Sequence, residues 1–502
     1  MRPVQVPGIG LEQLAAGLGL GGDLPKTPVT GVRLDSRQVL PGEIYIAMPG
    51  ARTHGARFAQ QVARAGAQAI LTDPQGAELA AGCGLPVLVS HRLRQDAAEL
   101  SARVFGRPGE QLQLFGVTGT NGKTTTVALL EAILQAEGRR VGTVGTLGFR
   151  LDSQMLEADR STVTTPEAPD LQGLLARFAE DGAQAVALEV SSHAMALARV
   201  DALRFAVGAF LNLGRDHLDF HRDLEDYFEA KAALFTPERL DHAVVWIDDE
   251  HGQEIARRCL ARGLEVHTVG TTGQSRYRLG EYAPVRPLGG RALLETPQGQ
   301  VRLELTMPGW HNMIDAAVAF AMARAVEVPV EVITQGLRSA QVPGRMQVLA
   351  LPAGAPTVVV DFAHTPQAVT ATLEALQGFD EVVTVLGCGG DRDAAKRPLM
   401  GQAAAGLSDL LIVTDDNPRT EDPAAIRAQM LSGSQGGRAR VIEQAGRRHA
   451  IELALRSASG GSVVAILGKG HERGQQIGDQ VLPFDDAVVA QDAWHQMEGR
   501  DR

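Results

Sequence analysis

Residues 116–126 read Gly116-Val-Thr-Gly-Thr-Asn-Gly-Lys-Thr-Thr-Thr126. They stand between a stretch at 112–117 that reads as a buried strand and a segment at 124–137 with Val127, Leu130, Ile133 and Leu134 at helical spacing. Strand, glycine-rich turn and helix in that order form the context a phosphate loop requires. Small residues let backbone N–H groups converge on phosphate oxygens at the positive end of the helix. The cradle then comprises Thr118, Gly119, Thr120, Asn121, Gly122, Lys123, Thr124 and Thr125. Lys123 would reach the β- and γ-phosphates of ATP, and the Thr124 hydroxyl would ligate Mg²⁺. The spacing departs from GxxxxGK[ST]: Val117 occupies the position five before Gly122, and Gly116 lies one residue too early.

Outward from the loop, strand and helix signals alternate. Strands are expected at 141–146, 185–190, 205–211 and 243–247, and a helix at 166–181 with Thr165 as its cap. Continuous apolar strands separated by helices predict a mostly parallel sheet covered on both faces. Farther on, strands at 357–360, 382–386, 410–413, 439–442 and 463–467 alternate with helices at 366–376, 397–407, 423–430 and 448–456. That is a doubly wound α/β pattern, in which ligands bind outside the carboxyl ends of the strands. Those ends are polar: Asp361-Phe-Ala-His364, Gly387-Cys-Gly-Gly-Asp-Arg392, Asp415-Asp-Asn-Pro-Arg419 and Gly468-Lys-Gly-His-Glu472.

Breaks rich in Gly and Pro at 106–110, 307–312 and 342–345 suggest cuts near 110 and 343. The expected fold is α/β with three domains. These are a small N-terminal α/β domain (1–110), a central ATPase-like domain with a mostly parallel sheet (111–342) and a C-terminal Rossmann-like domain (343–502). Length agrees, since 502 residues suggest about three domains. With 48 Lys+Arg against 59 Asp+Glu, the net charge of −11 argues against a nucleic-acid or anionic-membrane partner. The three cysteines, Cys83, Cys259 and Cys388, are widely spaced and form no CxxC, as in a reducing compartment. No apolar run approaches the ~20 residues of a membrane helix. The first residues, Met-Arg-Pro-Val-Gln-Val-Pro, carry no apolar signal core, and a cytoplasmic protein is expected.

The loop Thr118-Gly-Thr-Asn-Gly-Lys-Thr-Thr-Thr126 resembles that of the Mur ligases and their folylpolyglutamate synthetase relatives, which join an amine to a carboxylate through an acyl phosphate. Other blocks of that family occur in order over nearly the whole chain. They are Asp35-Ser-Arg-Gln-Val-Leu-Pro-Gly42, Thr164-Thr-Pro166, Glu189-Val-Ser-Ser-His193, Asn212-Leu-Gly-Arg-Asp-His-Leu-Asp219, Lys231, His311-Asn312, Pro343-Gly-Arg-Met346 and the strand-end motifs quoted above. The blocks around Asp393, Arg419 and Glu472 point to the branch that adds a diamino acid to UDP-N-acetylmuramoyl-L-alanyl-D-glutamate.

The resemblance implies roles. Lys123, Glu189, His217 and Lys231 would be catalytic. Thr124, Glu189, His217 and Lys231 would surround Mg²⁺, with Lys231 as N6-carboxylysine. Burial disfavours a charged ammonium, and a neutral amine takes up CO₂ as a carbamate; from the residues alone Lys231 reads as a surface lysine. Asn312, Arg345 and Asp361 would join the loop in binding ATP. Ser36, Thr164, Thr165, Ser191 and Arg199 would hold the UDP-sugar peptide, with Arg199 pairing an anionic group. Arg392, Asp416, Asn417, Pro418, Arg419, Gly468 and Glu472 would hold the amino acid. Arginine forks suit carboxylates, and Arg419 favours meso-diaminopimelate over L-lysine or L-ornithine. Relatives imply a monomer acting on small molecules.

Some positions depart from the family pattern: Leu197, Gly214, Phe362, Asp315, and His54, where an aspartate is common. Other readings remain open at this stage. A different Mur ligase or a folylpolyglutamate synthetase is the nearest. A phosphate-loop kinase, a mechanical ATPase or a nucleotide sensor would leave Arg392, Arg419 and Glu472 unexplained.

Overall fold

The strand Gln113–Thr118 is almost wholly buried, and so is its neighbour Ala185–Glu189. Their Val, Ala and Leu content is that of strands covered on both faces. The computed structural model describes residues 3–20, 24, 26–50, 53–156, 164–214, 216, 220–286, 288–352 and 354–498. Two compact units divide the chain. The first comprises Met1–Leu213, Glu225–Thr268 and Phe320–Pro329; the second comprises Gly214–Leu224, Val269–Ala319 and Val330–Arg502.

The first unit opens with a 4-stranded parallel sheet, Gly31–Arg33, Glu43–Ala47, Ala69–Thr72 and Val87–Val89. Its core joins Leu11, Val32, Ile44, Leu71, Leu88 and Leu100. Within this unit the strands of a second sheet run in the order Glu265–Gly270, Leu240–Trp246, Phe205–Phe210, Gln113–Thr118, Ala185–Glu189, Val141–Gly145, Gly148–Leu151 and Gln154–Met155. From Leu240–Trp246 to Val141–Gly145 the pairs are parallel, and Gly148–Leu151 turns back antiparallel. Parallel pairing brings Thr118 level with Phe210 and Val117 level with Glu189. The phosphate loop therefore leaves the carboxyl edge of the sheet beside Glu189.

The helix expected at 166–181 begins later, at Ala168, and ends at Glu180. Thr165 is not its cap. Its hydroxyl donates instead to the Glu189 carbonyl at 2.7 Å, and a proline in the first turn, where a missing N–H costs little, starts the helix.

The second unit contains an antiparallel meander, Tyr277–Pro284, Gly290–Thr296 and Gly299–Leu305, that the sequence reading did not anticipate. The buried Ala292 and Leu294 alternate with the less buried Arg291, Leu293 and Glu295, a period-2 signal diluted by the apolar Leu293 and by the glycines at 289, 290 and 299. A 6-stranded sheet follows in the order Gln347–Val348, Thr357–Asp361, Val463–Leu467, Val382–Cys388, Leu410–Asp415 and Arg440–Glu443. All pairs after the first are parallel. Consequently the polar strand ends after Asp361, Cys388, Asp415 and Leu467 share one edge. The last strand inserts between the first two of the parallel set, which brings Gly468 beside Asp361. Among the described residues no helix is long and apolar enough to cross a membrane.

Candidate active site

The helix Lys123–Ala136 starts at Gly122, whose φ of 88° is the left-handed conformation that glycine adopts without a side-chain clash. That geometry aims the first turn of the helix at the loop. The loop is pinned from outside by Asn212: its carbonyl accepts from Thr120 N at 3.0 Å, and its side chain bonds Asn121 N at 2.9 Å and Asn121 O at 3.2 Å. Lys123 Nζ donates to the carbonyls of Gly119 and Thr120 at 2.9 and 3.0 Å. Lys231, fully buried on the helix Leu224–Ala232, donates to the same Gly119 carbonyl at 2.8 Å. Its ammonium sits 4.5 Å from the Tyr227 ring centre, and the Tyr227 hydroxyl is 3.2 Å from Thr120 Oγ1. Lys231 is thus an interior residue, where its sequence neighbours alone suggested a surface one. The Thr118 hydroxyl, at the strand end, is buried without a hydrogen-bond partner.

Glu189 faces the loop from the adjacent strand end. Its Oε1 accepts from Thr124 Oγ1 at 2.9 Å and from Thr146 N at 2.8 Å, and its Oε2 from Thr146 Oγ1 at 3.0 Å. A hydroxyl and a carboxylate side by side are hard oxygen donors of the kind Mg²⁺ takes, so the residues present fit that ion. His217 lies outside the described residues. Thr125 is buried in the first turn of the same helix.

The residues expected to hold the UDP-sugar peptide divide. Thr164, Thr165, Ser191 and Arg199 gather around the Glu189 strand end. Thr164 Oγ1 is 3.4 Å from Thr146 Oγ1, Thr165 Oγ1 is 3.2 Å from Ser191 Oγ, and Arg199 Nη1 donates to the Thr165 carbonyl at 2.8 Å. Ser191 also caps the helix Ser192–Ala196. Arg199 already pairs an internal carboxylate, Glu167, through Nη2 at 2.6 Å and Nε at 3.0 Å. Ser36 belongs to the smaller sheet, in the turn after Gly31–Arg33, with its carbonyl accepting from Gln61. At His54, Nδ1 accepts from Ala56 N at 3.0 Å as a helix cap while Nε2 meets Asp73 at 3.1 Å. The imidazole supplies the acceptor that a capping side chain needs.

In the second unit, Asp361 is buried and accepts from Met346 N at 2.7 Å, Ala363 N at 2.9 Å and Thr372 Oγ1 at 3.1 Å. The guanidinium of Arg345 lies over the Phe362 ring at 4.4 Å. Asn312, near the start of the helix Trp310–Ala325, donates to the Pro308 carbonyl at 2.6 Å.

Along the sheet edge, Asp416, Asn417 and Glu472 converge on a residue to which the sequence reading gave no role. Lys469 is completely buried, with Nζ 3.0 Å from Glu472 Oε2, 3.1 Å from Asn417 Oδ1 and 3.6 Å from Asp416 Oδ1. Asn417 Nδ2 in turn donates to Glu472 at 2.8 Å. Gly468 (φ 114°) lies so close to Asp416 that a Cβ there would come within 2.7 Å of its carboxylate. Arg419 holds a left-handed φ of 52° and donates to the Gly390 carbonyl. Strain of that kind in a non-glycine residue is commonest at functional sites. Pro418 precedes it and accepts from Glu421 N at 3.1 Å; Arg392 is exposed on the loop after Val382–Cys388. A lysine inside a glycine-rich strand-end motif, Gly468-Lys-Gly470, was the available signal for Lys469.

Fold and loop together define a phosphate-loop α/β protein with a second, doubly wound sheet. Family profiles match almost end to end: "Mur ligase family, catalytic domain" at 28–104, "Mur ligase middle domain" at 117–323 and "Mur ligase, glutamate ligase domain" at 344–470. The chain is 41% identical over 511 residues to the UDP-N-acetylmuramoyl-L-alanyl-D-glutamate--2,6-diaminopimelate ligase of Streptomyces coelicolor, with 99% of each chain covered. It is 41% identical over 503 residues to the protein of that name from Gloeobacter violaceus, covering 99% and 100%. A solved structure of a ligase with the same name, 31% identical, superposes with a TM-score of 0.70 over 98% of this chain and 99% of that one. The chain belongs to the Mur ligase family. MurF from Thermotoga maritima in complex with ADP, 18% identical with a TM-score of 0.64 over 94% and 98%, shares the fold.

Proposed function

We propose that this protein is an ATP-dependent ligase that adds meso-diaminopimelate to UDP-N-acetylmuramoyl-L-alanyl-D-glutamate in peptidoglycan precursor synthesis. The observation that carries the reading is the glycine-rich loop on which Lys123 and the buried Lys231 both converge at the Gly119 carbonyl, next to the Thr124–Glu189 pair. This is a phosphate cradle beside a hard-oxygen donor set. The 41% identity over the whole chain supplies the substrate class.

The reaction has two transfers. The γ-phosphoryl group passes to the D-glutamyl γ-carboxylate, giving an acyl phosphate and ADP. The amine of the diamino acid then attacks the acyl carbon; the C–N bond forms, the nitrogen loses a proton, and phosphate leaves. Lys123 and the loop N–H groups hold the triphosphate and stabilise charge on the moving phosphoryl group. Thr124 and Glu189, with His217, would hold Mg²⁺. When bound, that ion would neutralise charge on the triphosphate. Lys231 carries the carbamate in this reading, supported by its burial next to the loop. Asp361, Arg345 and Asn312 bind the nucleotide.

Ser36, Thr164, Thr165 and Ser191 hold the UDP-sugar peptide. A substrate anion at Arg199 must compete with Glu167. Arg392 and Arg419 receive the carboxylates of the incoming amino acid, and Asp416, Asn417, Pro418, Gly468 and Glu472 line its ammonium end. The three cysteines are free thiols, which supports a cytoplasmic enzyme, and we read it as a monomer.

The test is ADP release with UDP-N-acetylmuramoyl-L-alanyl-D-glutamate and, in turn, meso-diaminopimelate, L-lysine and L-ornithine. ADP production only with meso-diaminopimelate is expected. Equal rates with lysine would remove the specificity assignment, and ATP turnover independent of any amine would indicate an ATPase or kinase.

A further inference from the structure

Away from the phosphate loop, the first unit gathers another set of ligating groups. His242 is the third residue of the strand Leu240–Trp246. Glu265 and His267 are the first and third residues of Glu265–Gly270, the next strand of the sheet. Alternation along a strand puts residues two apart on one face, so Glu265 and His267 project together. The His242 and His267 rings stand 5.5 Å apart at 72°. Glu265 lies between them, with Oε2 3.4 Å from His242 Nδ1 and Oε1 3.2 Å from His267 Nε2. One ligand atom from each residue lies within 4.8 Å of the other two. His242 Nδ1 is buried and, despite its distance from the carboxylate, makes no hydrogen bond.

We propose that His242, Glu265 and His267 form a binding site for a borderline divalent cation of the Zn²⁺ type. Two imidazoles and one carboxylate are a zinc donor set, whereas Mg²⁺ prefers oxygen alone. In a tetrahedral zinc site neighbouring ligand atoms lie about 3.4 Å apart; each histidine nitrogen is at about that separation from one of the two Glu265 oxygens, and one donor atom from each residue lies within 4.8 Å of the others. His267 is anchored, with 4% of its side chain exposed, while the Glu265 side chain is 53% exposed. The ion therefore enters from the Glu265 side and leaves its fourth position to solvent.

This place is separate from the nucleotide cradle. His242 is level with Val207, which is level with Phe115, three residues before Thr118. At about 3.3 Å per residue the site lies roughly 10 Å down the strands, towards their amino ends. Bound metal ties Leu240–Trp246 to Glu265–Gly270 across the crossover helix Glu250–Ala261.

The experiment titrates tag-free, full-length protein with Zn²⁺ in excess Mg²⁺ by calorimetry, and with Co²⁺ by visible absorption. One Zn²⁺ per chain and an intense tetrahedral Co²⁺ band are expected, with a rise in melting temperature. Glu265→Gln and His242→Asn should each weaken binding about tenfold or more. Both should melt like the parent without metal and keep its ligase rate. Glu265→Gln is the safer variant, because it keeps the shape of a half-exposed side chain. Absence of stoichiometric Zn²⁺ binding, or undiminished binding in both variants, overturns the site.

Discussion

Lys123 and Lys231, from two different helices, donate to one acceptor, the carbonyl oxygen of Gly119, at 2.9 and 2.8 Å. Lys123 brings a positive charge to the loop, and an oxyanion there gains from it; Lys231, as its carbamate, would bring oxygen donors suited to Mg²⁺ to the same place. Lys123→Ala is expected to lower kcat/KM for ligation by at least about a hundredfold while the far-UV circular dichroism and melting temperature stay near the parent. Lys231→Ala should lose as much, and ¹³C-bicarbonate should label the parent but not this variant with a carbamate resonance. Near-parental turnover of Lys123→Ala would exclude the scheme.

Glu189 bonds both Thr124 and Thr146. Glu189→Gln keeps the shape and removes the charge. The Mg²⁺ concentration giving half-maximal rate should rise about ten- to a hundredfold, as for other losses of metal-site support. An unchanged Mg²⁺ dependence would remove Glu189 from the metal site.

Arg419 is held in a left-handed conformation with its guanidinium against the Gly390 carbonyl. Arg419→Lys keeps the charge and loses the planar fork. The KM for meso-diaminopimelate should rise by about tenfold or more with little change in the ATP KM, and discrimination against L-lysine should fall. Retained discrimination would move the specificity elsewhere on the edge.

Burial, and next the positive charge of Lys396, hold the His364 imidazole below its usual range, with its Nδ1 2.9 Å from the Phe362 carbonyl. A histidine kept neutral by the fold contributes stability that is complete above its unfolded value of about 6.5 and is lost as pH falls below it. The melting temperature of the parent should therefore drop between about pH 7 and pH 5 by more than that of His364→Gln. Parallel curves would show that His364 is not the group responsible.

Arg447 and Asp486 form a fully buried ion pair at 2.7 Å, and Arg447 also donates to the Leu467 carbonyl at 2.9 Å. Removing one partner strands the other charge. Asp486→Asn should cost about 3 kcal/mol or more in denaturant unfolding. Because the pair braces the strand Val463–Leu467, which leads into Gly468, affinity for the amino acid should fall with it.

The phosphate loop and the doubly wound pattern were legible in the chain because both are local. Gly122 must take a positive φ before a helix, and strands such as Val382–Cys388 are continuous apolar runs. The meander at Tyr277–Pro284 to Gly299–Leu305 was not legible, since its polar–apolar alternation is interrupted by glycines and by Leu293, an apolar residue between the buried Ala292 and Leu294. Thr165 fits a helix cap by spacing, yet its hydroxyl bonds Glu189 on another strand.

Sequence alone determined the residue types at each strand end and the order in which they come, since backbone conformation and hydrophobic period are set within a few positions. Only the tertiary structure decided their partners. Lys231 is interior because Tyr227 and Gly119 enclose it, and Lys469 is central because Asp416, Asn417 and Glu472 meet there. Those meetings join residues as far as 112 positions apart, and sheet register, not local spacing, brings them within reach.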